Sequence, residues 1–126
     1  MPVDDNAFLL LRSPDGKRFA HLHASCTEWK NAFSFEIFCE RGKCHVTGLG
    51  RSYGAEELKI YRMQPEMGPP PMEHLAFPGE DISWKEEMAA FLALMDNKPS
   101  QIGRIDDALA AMRVIEGTYR QSGYDF

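Results

Sequence analysis

Three histidines, two cysteines and a glycine-rich run are the residues of this chain whose types and spacing could carry chemistry. His21 and His23 lie two apart in an extended segment and therefore point to one face, together with Ser25. His45 falls in a second segment of the same kind, and three imidazoles are enough to hold zinc. Their spacing matches no zinc finger or ribbon and no carboxylate is poised beside them, so polar histidines on a sheet face or interface are the plainer reading and no metal ligand is assigned. Cys39 and Cys44 flank Glu40-Arg41-Gly42-Lys43 and could face each other across a hairpin. With three cysteines in all, reduced thiols are expected, and no neighbouring base marks either as a nucleophile.

Gly48-Leu49-Gly50-Arg51-Ser52-Tyr53-Gly54 follows a strand and looks superficially like a dinucleotide loop. That fingerprint needs a crossover helix, a second parallel strand and an acidic residue about 20 positions on. Only Ala55–Met63 follows before a run of prolines, which is too short, so a glycine-rich turn with close backbone approach is expected. Trp29-Lys30-Asn31 sits in a connection, where function concentrates. Trp29, Lys30 and Tyr53 form the expected substrate-facing set. A Trp29 folded under the sheet edge with Lys30 in solvent is the competing reading.

The elements that would position these residues divide the chain in two. Asn6–Arg12 and Phe19–Cys26, joined through Ser13-Pro14-Asp15-Gly16, form an expected hairpin. Phe33–Cys39 alternates Phe33, Phe35 and Ile37 against Ser34 and Glu36, the period of a strand with unlike faces. Glu40–Lys43 turns the chain, with Gly42 suited to a positive φ, and Cys44–Leu49 returns. Leu58–Met63 is the fifth expected strand. Pro65–Pro71 holds four of the eight prolines and should run extended as a connection within one domain.

Two helices close the sequence. Ser83 as N-cap with Glu86 three residues on is a capping box, and Trp84, Met88, Phe91, Leu92 and Met95 recur at helical spacing. Asn97 before Lys98-Pro99 suits a left-handed stop. The second helix is expected from Ile105 to Ser122, with Ile105, Leu109, Met112, Ile115 and Tyr119 on one face and Asp106 and Asp107 in its first turn. Both stripes read as core. The expected fold is a single α+β domain over 1–126, a mostly antiparallel, open-faced sheet with helices packed on one face and no Rossmann domain. Two helices cover one face only, yet Asn6–Arg12 is apolar on both, with Leu9 and Leu11 against Phe8 and Leu10. A partner subunit is expected over the second face.

Length and composition agree with this. A chain of 126 residues with 44% hydrophobic and 26% charged residues fits one globular domain. The net charge of −5 argues against nucleic acid and anionic lipid. Residues 1–63 carry nine basic and eight acidic side chains, and residues 64–126 five and eleven, so the acidity lies with the helices. No apolar run is long enough to span a membrane. The first residues have neither a basic region nor an apolar segment, so a cytoplasmic protein is expected.

The order of several short runs resembles a known family. His23-Ala24-Ser25, Trp29-Lys30-Asn31, and Phe33–Cys39 with Arg41-Gly42-Lys43 are similar to the C-terminal domain of the glucose-fructose oxidoreductase / inositol dehydrogenase family (Gfo/Idh/MocA). So are Gly48-Leu49-Gly50, Ser52-Tyr53-Gly54, Pro65-Glu66-Met67-Gly68-Pro69-Pro70, Asp81-Ile82-Ser83-Trp84, and Asp107-Ala108-Leu109 through Ile115 to Tyr119. The likeness spans essentially the whole chain. It implies a parent NAD(P)-dependent oxidoreductase acting on a hydroxyl of a sugar or cyclitol, with NAD or NADP held by an N-terminal Rossmann domain. The glycine fingerprint, the Glu-Lys-Pro segment and the Asp/His pair of such enzymes precede the region represented here. Asn97-Lys98-Pro99 is not that segment, having Asn in place of Glu, and Cys39 stands where the family pattern has Gly. No catalytic or cofactor-binding residue is therefore carried over, and the chain alone is expected to be inactive. The resemblance implies a wall of the substrate pocket and a homo-oligomer through the open sheet face. The alternative is a free-standing binding module that uses the sheet face for a ligand or metal, and a pure oligomerisation domain is the third.

Overall fold

The computed structural model describes residues 4–50, 52–100 and 103–123. Arg51 of the glycine-rich loop lies outside them. The fold is α+β, with six antiparallel strands in two sheets and two helices. Two compact units divide it, Met1–Glu28 with Glu87–Phe126, and Trp29–Glu86. The expected single sheet of five strands is thus corrected to a two-stranded and a four-stranded sheet. No helix among the described residues is long and apolar enough to cross a membrane.

In the first unit, β1 (Asn6–Arg12) pairs with β2 (Phe19–Ser25), Phe8 opposite His23 and Leu10 opposite His21. The turn forms as its residues dictate. Gly16 takes a φ of 69° and donates its N–H to Ser13 O at 2.8 Å, and Asp15 accepts from the Lys17 N–H at 3.1 Å. The helix α2 (Ile105–Gln121) begins where Asp107 Oδ2 accepts the Arg104 N–H at 2.8 Å, so a first-turn carboxylate takes up an orphan donor. Its Ile115, Thr118 and Tyr119 border a cavity of about 380 Å³ whose other wall is the start of β1.

In the second unit, β3 (Ser34–Cys39), β4 (Gly42–Thr47), β5 (Glu56–Arg62) and β6 (Met72–Phe77) pair in chain order. The sequence reading assigns no element to residues 72–77, which form an edge strand bracketed by Pro71 and Pro78, the placement expected at a sheet edge. Only two residues, Glu40 and Arg41, make the β3–β4 turn, so Cys39 pairs with Gly42 and Ile37 with Cys44. The two cysteines share a face but do not oppose each other, and both are free thiols. Gly42 has no positive φ; it is needed because a Cβ there would stand 2.6 Å from the Tyr61 carbonyl oxygen. Gly48 does have one, 77°, and a Cβ on it would collide with the Ala55 carbonyl, the close approach read from the glycine-rich run.

The helix α1 (Ser83–Met95) starts at Ser83 itself, whose N–H is accepted by Asp81 Oδ1 at 3.0 Å; Asp81 does the work assigned to Ser83. It ends as expected. Asn97 sits at φ 57°, its N–H bonds Leu94 O at 3.0 Å, and the Lys98 N–H bonds Ala93 O at 2.9 Å, the paired pattern of a Schellman stop. The apolar stripes, however, are not core. Trp84, Met88, Phe91, Leu92 and Met95 are each more than half exposed, as are Ile105 and Met112, and no hydrophobic residue among those described is buried. Helical spacing fixes which face is apolar; it does not supply what covers that face.

Candidate functional site

The register of the four-stranded sheet sorts its side chains into two unlike faces. Glu36, His45, Lys59 and His74 are successive cross-strand partners, so they form one polar row from β3 to β6. Beside it runs a second row, Phe38, Lys43, Tyr61 and Met72, at the end nearest the β3–β4 turn. The opposite face carries Phe35, Ile37, Cys44, Val46, Leu58 and Ile60, with Leu75 and Phe77 on the edge strand, and its charges, Glu56, Arg62 and Glu73, lie on β5 and β6. Strand period puts every charge of both rows on one side.

The polar face is tied together by its own charges. Lys43 Nζ lies 2.9 Å from Glu36 Oε2, and His45 Nε2 lies 3.6 Å from Glu36 Oε1 and 3.0 Å from Ser34 Oγ. Further along, Glu57 Oε2 meets Lys59 Nζ at 3.2 Å and His74 Nε2 at 3.4 Å. Hydrogen bonding from Lys43 holds the Glu36 carboxyl below its ordinary range, partly opposed by desolvation and helped by the charges of Lys43 and His45. Lys59 does the same to Glu57, with His74 adding to it. The two lysines of this face balance its two glutamates in formal charge.

The apolar face is open. Phe35 is 51% exposed, Ile37 44%, Leu75 36% and Phe77 54%. A contiguous patch of this kind marks an interaction surface.

Trp29 and Lys30 lie in the bend before β3, and Trp29 is fully exposed. Tyr53 lies in the loop between β4 and β5, where its N–H donates to Leu49 O at 3.2 Å. Because β4 runs antiparallel to both neighbours, these three residues belong to the same end of the four-stranded sheet. That end also holds a cavity of about 260 Å³ bordered by Gly54, Glu56, Phe77 and Asp81. Glu56 Oε1 accepts the Gly50 N–H at 2.9 Å and steadies the loop there.

The histidines divide between the units. His23 stacks on Phe8, ring centres 4.2 Å apart and nearly parallel, with Nε2 at 2.9 Å from Asn6 Oδ1 and Nδ1 at 3.8 Å from Glu28. His45 is occupied by Ser34 and Glu36. Among the described residues no three His, Cys, Asp or Glu side chains gather as metal ligands. Sequence reasoning passed over Glu36, Phe38, Lys43, Lys59, Tyr61 and His74. The alternation in β3 already put Glu36 and Phe38 on one face, but their neighbours follow only from the two-residue turn and the β5–β6 pairing.

No family model, curated protein or solved structure matches this chain.

Proposed function

We propose that this chain is the substrate-wall and subunit-interface domain of an NAD(P)-dependent oxidoreductase acting on a sugar or cyclitol hydroxyl. The observation that carries the reading is the two-faced four-stranded sheet, charged across the middle of one side and, on the other, open and apolar from Phe35 to Leu75 with Glu56, Arg62 and Glu73 at its margins. An apolar sheet face of this extent fits a second subunit, and the order of short motifs along the chain fits the oxidoreductase family it resembles. In this reading NAD or NADP sits on a Rossmann domain elsewhere in the parent enzyme, which also supplies the hydride chemistry. Trp29, Lys30 and Tyr53 contribute to the substrate wall at one end of the sheet, and the protein works in the cytoplasm.

The test is the mass of the native protein in its source cells, read with an antibody raised against this chain. A band several times heavier than 14.3 kDa is expected. A band at 14.3 kDa overturns the reading in favour of a free-standing binding module. Saturable NADH binding by the isolated chain would contradict the division of labour between the two domains.

A further inference from the structure

A cavity of about 420 Å³ opens at the turn end of the four-stranded sheet, the end opposite to Trp29, Lys30 and Tyr53. Phe38 of β3, Lys43 of β4 and Tyr61 of β5 border it, with Met63 just after β5 and Pro70 of the proline-rich connection closing one side. Its side chains are mostly apolar and aromatic around a single ammonium, and with Phe38 73% and Met63 68% exposed it is an open groove on the sheet surface.

The ammonium is held in place. Lys43 Nζ is 4.8 Å from the centre of the Phe38 ring and 5.8 Å from that of Tyr61, both within cation–π range. Glu36 takes one of its three donors at 2.9 Å. Lys43 is thereby fixed between two aromatic rings, with donors left for a guest. Arg41 and Arg62 border an adjoining cavity of about 390 Å³, which also includes Lys43 and Tyr61. Arg62 lies 3.5 Å from Glu73.

We propose that this pocket binds a small planar carboxylate, its ring against Phe38 and Tyr61 and its anionic group on Lys43. Lys43 keeps donors beyond the one given to Glu36, which suit an acceptor, and a wholly apolar guest would strip water from the ammonium without replacing it. A carboxylate replaces that water with a charge-assisted hydrogen bond. The site goes beyond the oxidoreductase reading, since it uses neither nicotinamide nor the residues at the other end of the sheet.

The test titrates the full 126-residue chain with 2-naphthoate and, separately, with the uncharged 2-naphthamide, following the amide resonances of Gly42, Lys43 and Tyr61. Saturable naphthoate binding with a Kd below about 1 mM is expected, with naphthamide about tenfold weaker. Lys43→Met should weaken naphthoate about tenfold, and Lys43→Arg should retain most of the affinity. Lys59→Met lies on the same face outside the pocket and should leave the Kd within about twofold. Failure to saturate, equal affinity for acid and amide, or equal losses in Lys43→Met and Lys59→Met would each overturn the proposal. The acid–amide comparison needs no substitution, so it stands even where a variant fails to fold.

Discussion

Lys43 and Glu36 meet diagonally across β3 and β4, Nζ 2.9 Å from Oε2, and this contact lowers the pKa of the Glu36 carboxyl. The folded chain holds the Glu36 carboxyl below its ordinary value of 4.5, chiefly through the hydrogen bond from Lys43. A depressed acid pKa stabilises the fold above the unfolded value, and that stabilisation is lost as pH falls through the lower folded value. Glu36→Gln should therefore lower the urea midpoint at pH 7, and the gap from wild type should be smaller at pH 3. Equal gaps at both pH values would refute the coupling.

Gly48 tests the backbone. With a φ of 77° and the Ala55 carbonyl where a Cβ would stand, Gly48→Ala should cost about 2 kcal/mol or more, read as a shift in the denaturation midpoint. Gly42→Ala meets the Tyr61 carbonyl oxygen at 2.6 Å but without a positive φ, so a cost of about 1–3 kcal/mol is expected from crowding alone.

The α1 stop makes a contrasting pair of substitutions. Asn97→Gly keeps the left-handed residue at φ 57° and should change stability by less than about 1 kcal/mol. Asn97→Val puts a β-branched side chain there and should cost about 1–2 kcal/mol. Thermal melts of the two variants side by side distinguish them; similar melting temperatures would contradict the left-handed cap.

The bare face of the four-stranded sheet leads to an expectation about assembly. In the proposed interface, the wild-type chain should scatter light as a species of about twice 14.3 kDa. Leu75→Glu, placed among Phe77, Leu58 and Phe35 on that face, should return it to the single-chain mass. A wild-type chain that stays monomeric at high concentration would count against the interface.

Most of the local structure was legible in the residues. Ser13-Pro14-Asp15-Gly16, Asn97 and the two aspartates opening α2 behave as their chemistry requires, because turns and caps are decided within a few neighbouring residues. What escaped was non-local. Met72–Phe77 is a strand through its pairing with β5, and its own residues, Met-Glu-His-Leu-Ala-Phe, carry no alternation that would announce one. Likewise Glu36, Lys43 and Tyr61 come from three strands, and their meeting depends on a turn of two residues where the composition suggested four. The helical stripes revealed an apolar face without revealing that the described chain leaves it uncovered.

The two edges of the four-stranded sheet are not equally guarded. Pro71 and Pro78 bracket β6, and neither can donate a backbone hydrogen bond, so a strand laid along that edge cannot lengthen past either end. The other edge, β3, has the sequence Ser-Phe-Glu-Ile-Phe-Cys, with no proline, no lysine and a single charge. Under heat or partial unfolding, fibril growth should therefore begin on β3, and a lysine at Ile37 should delay it more than any change to β6.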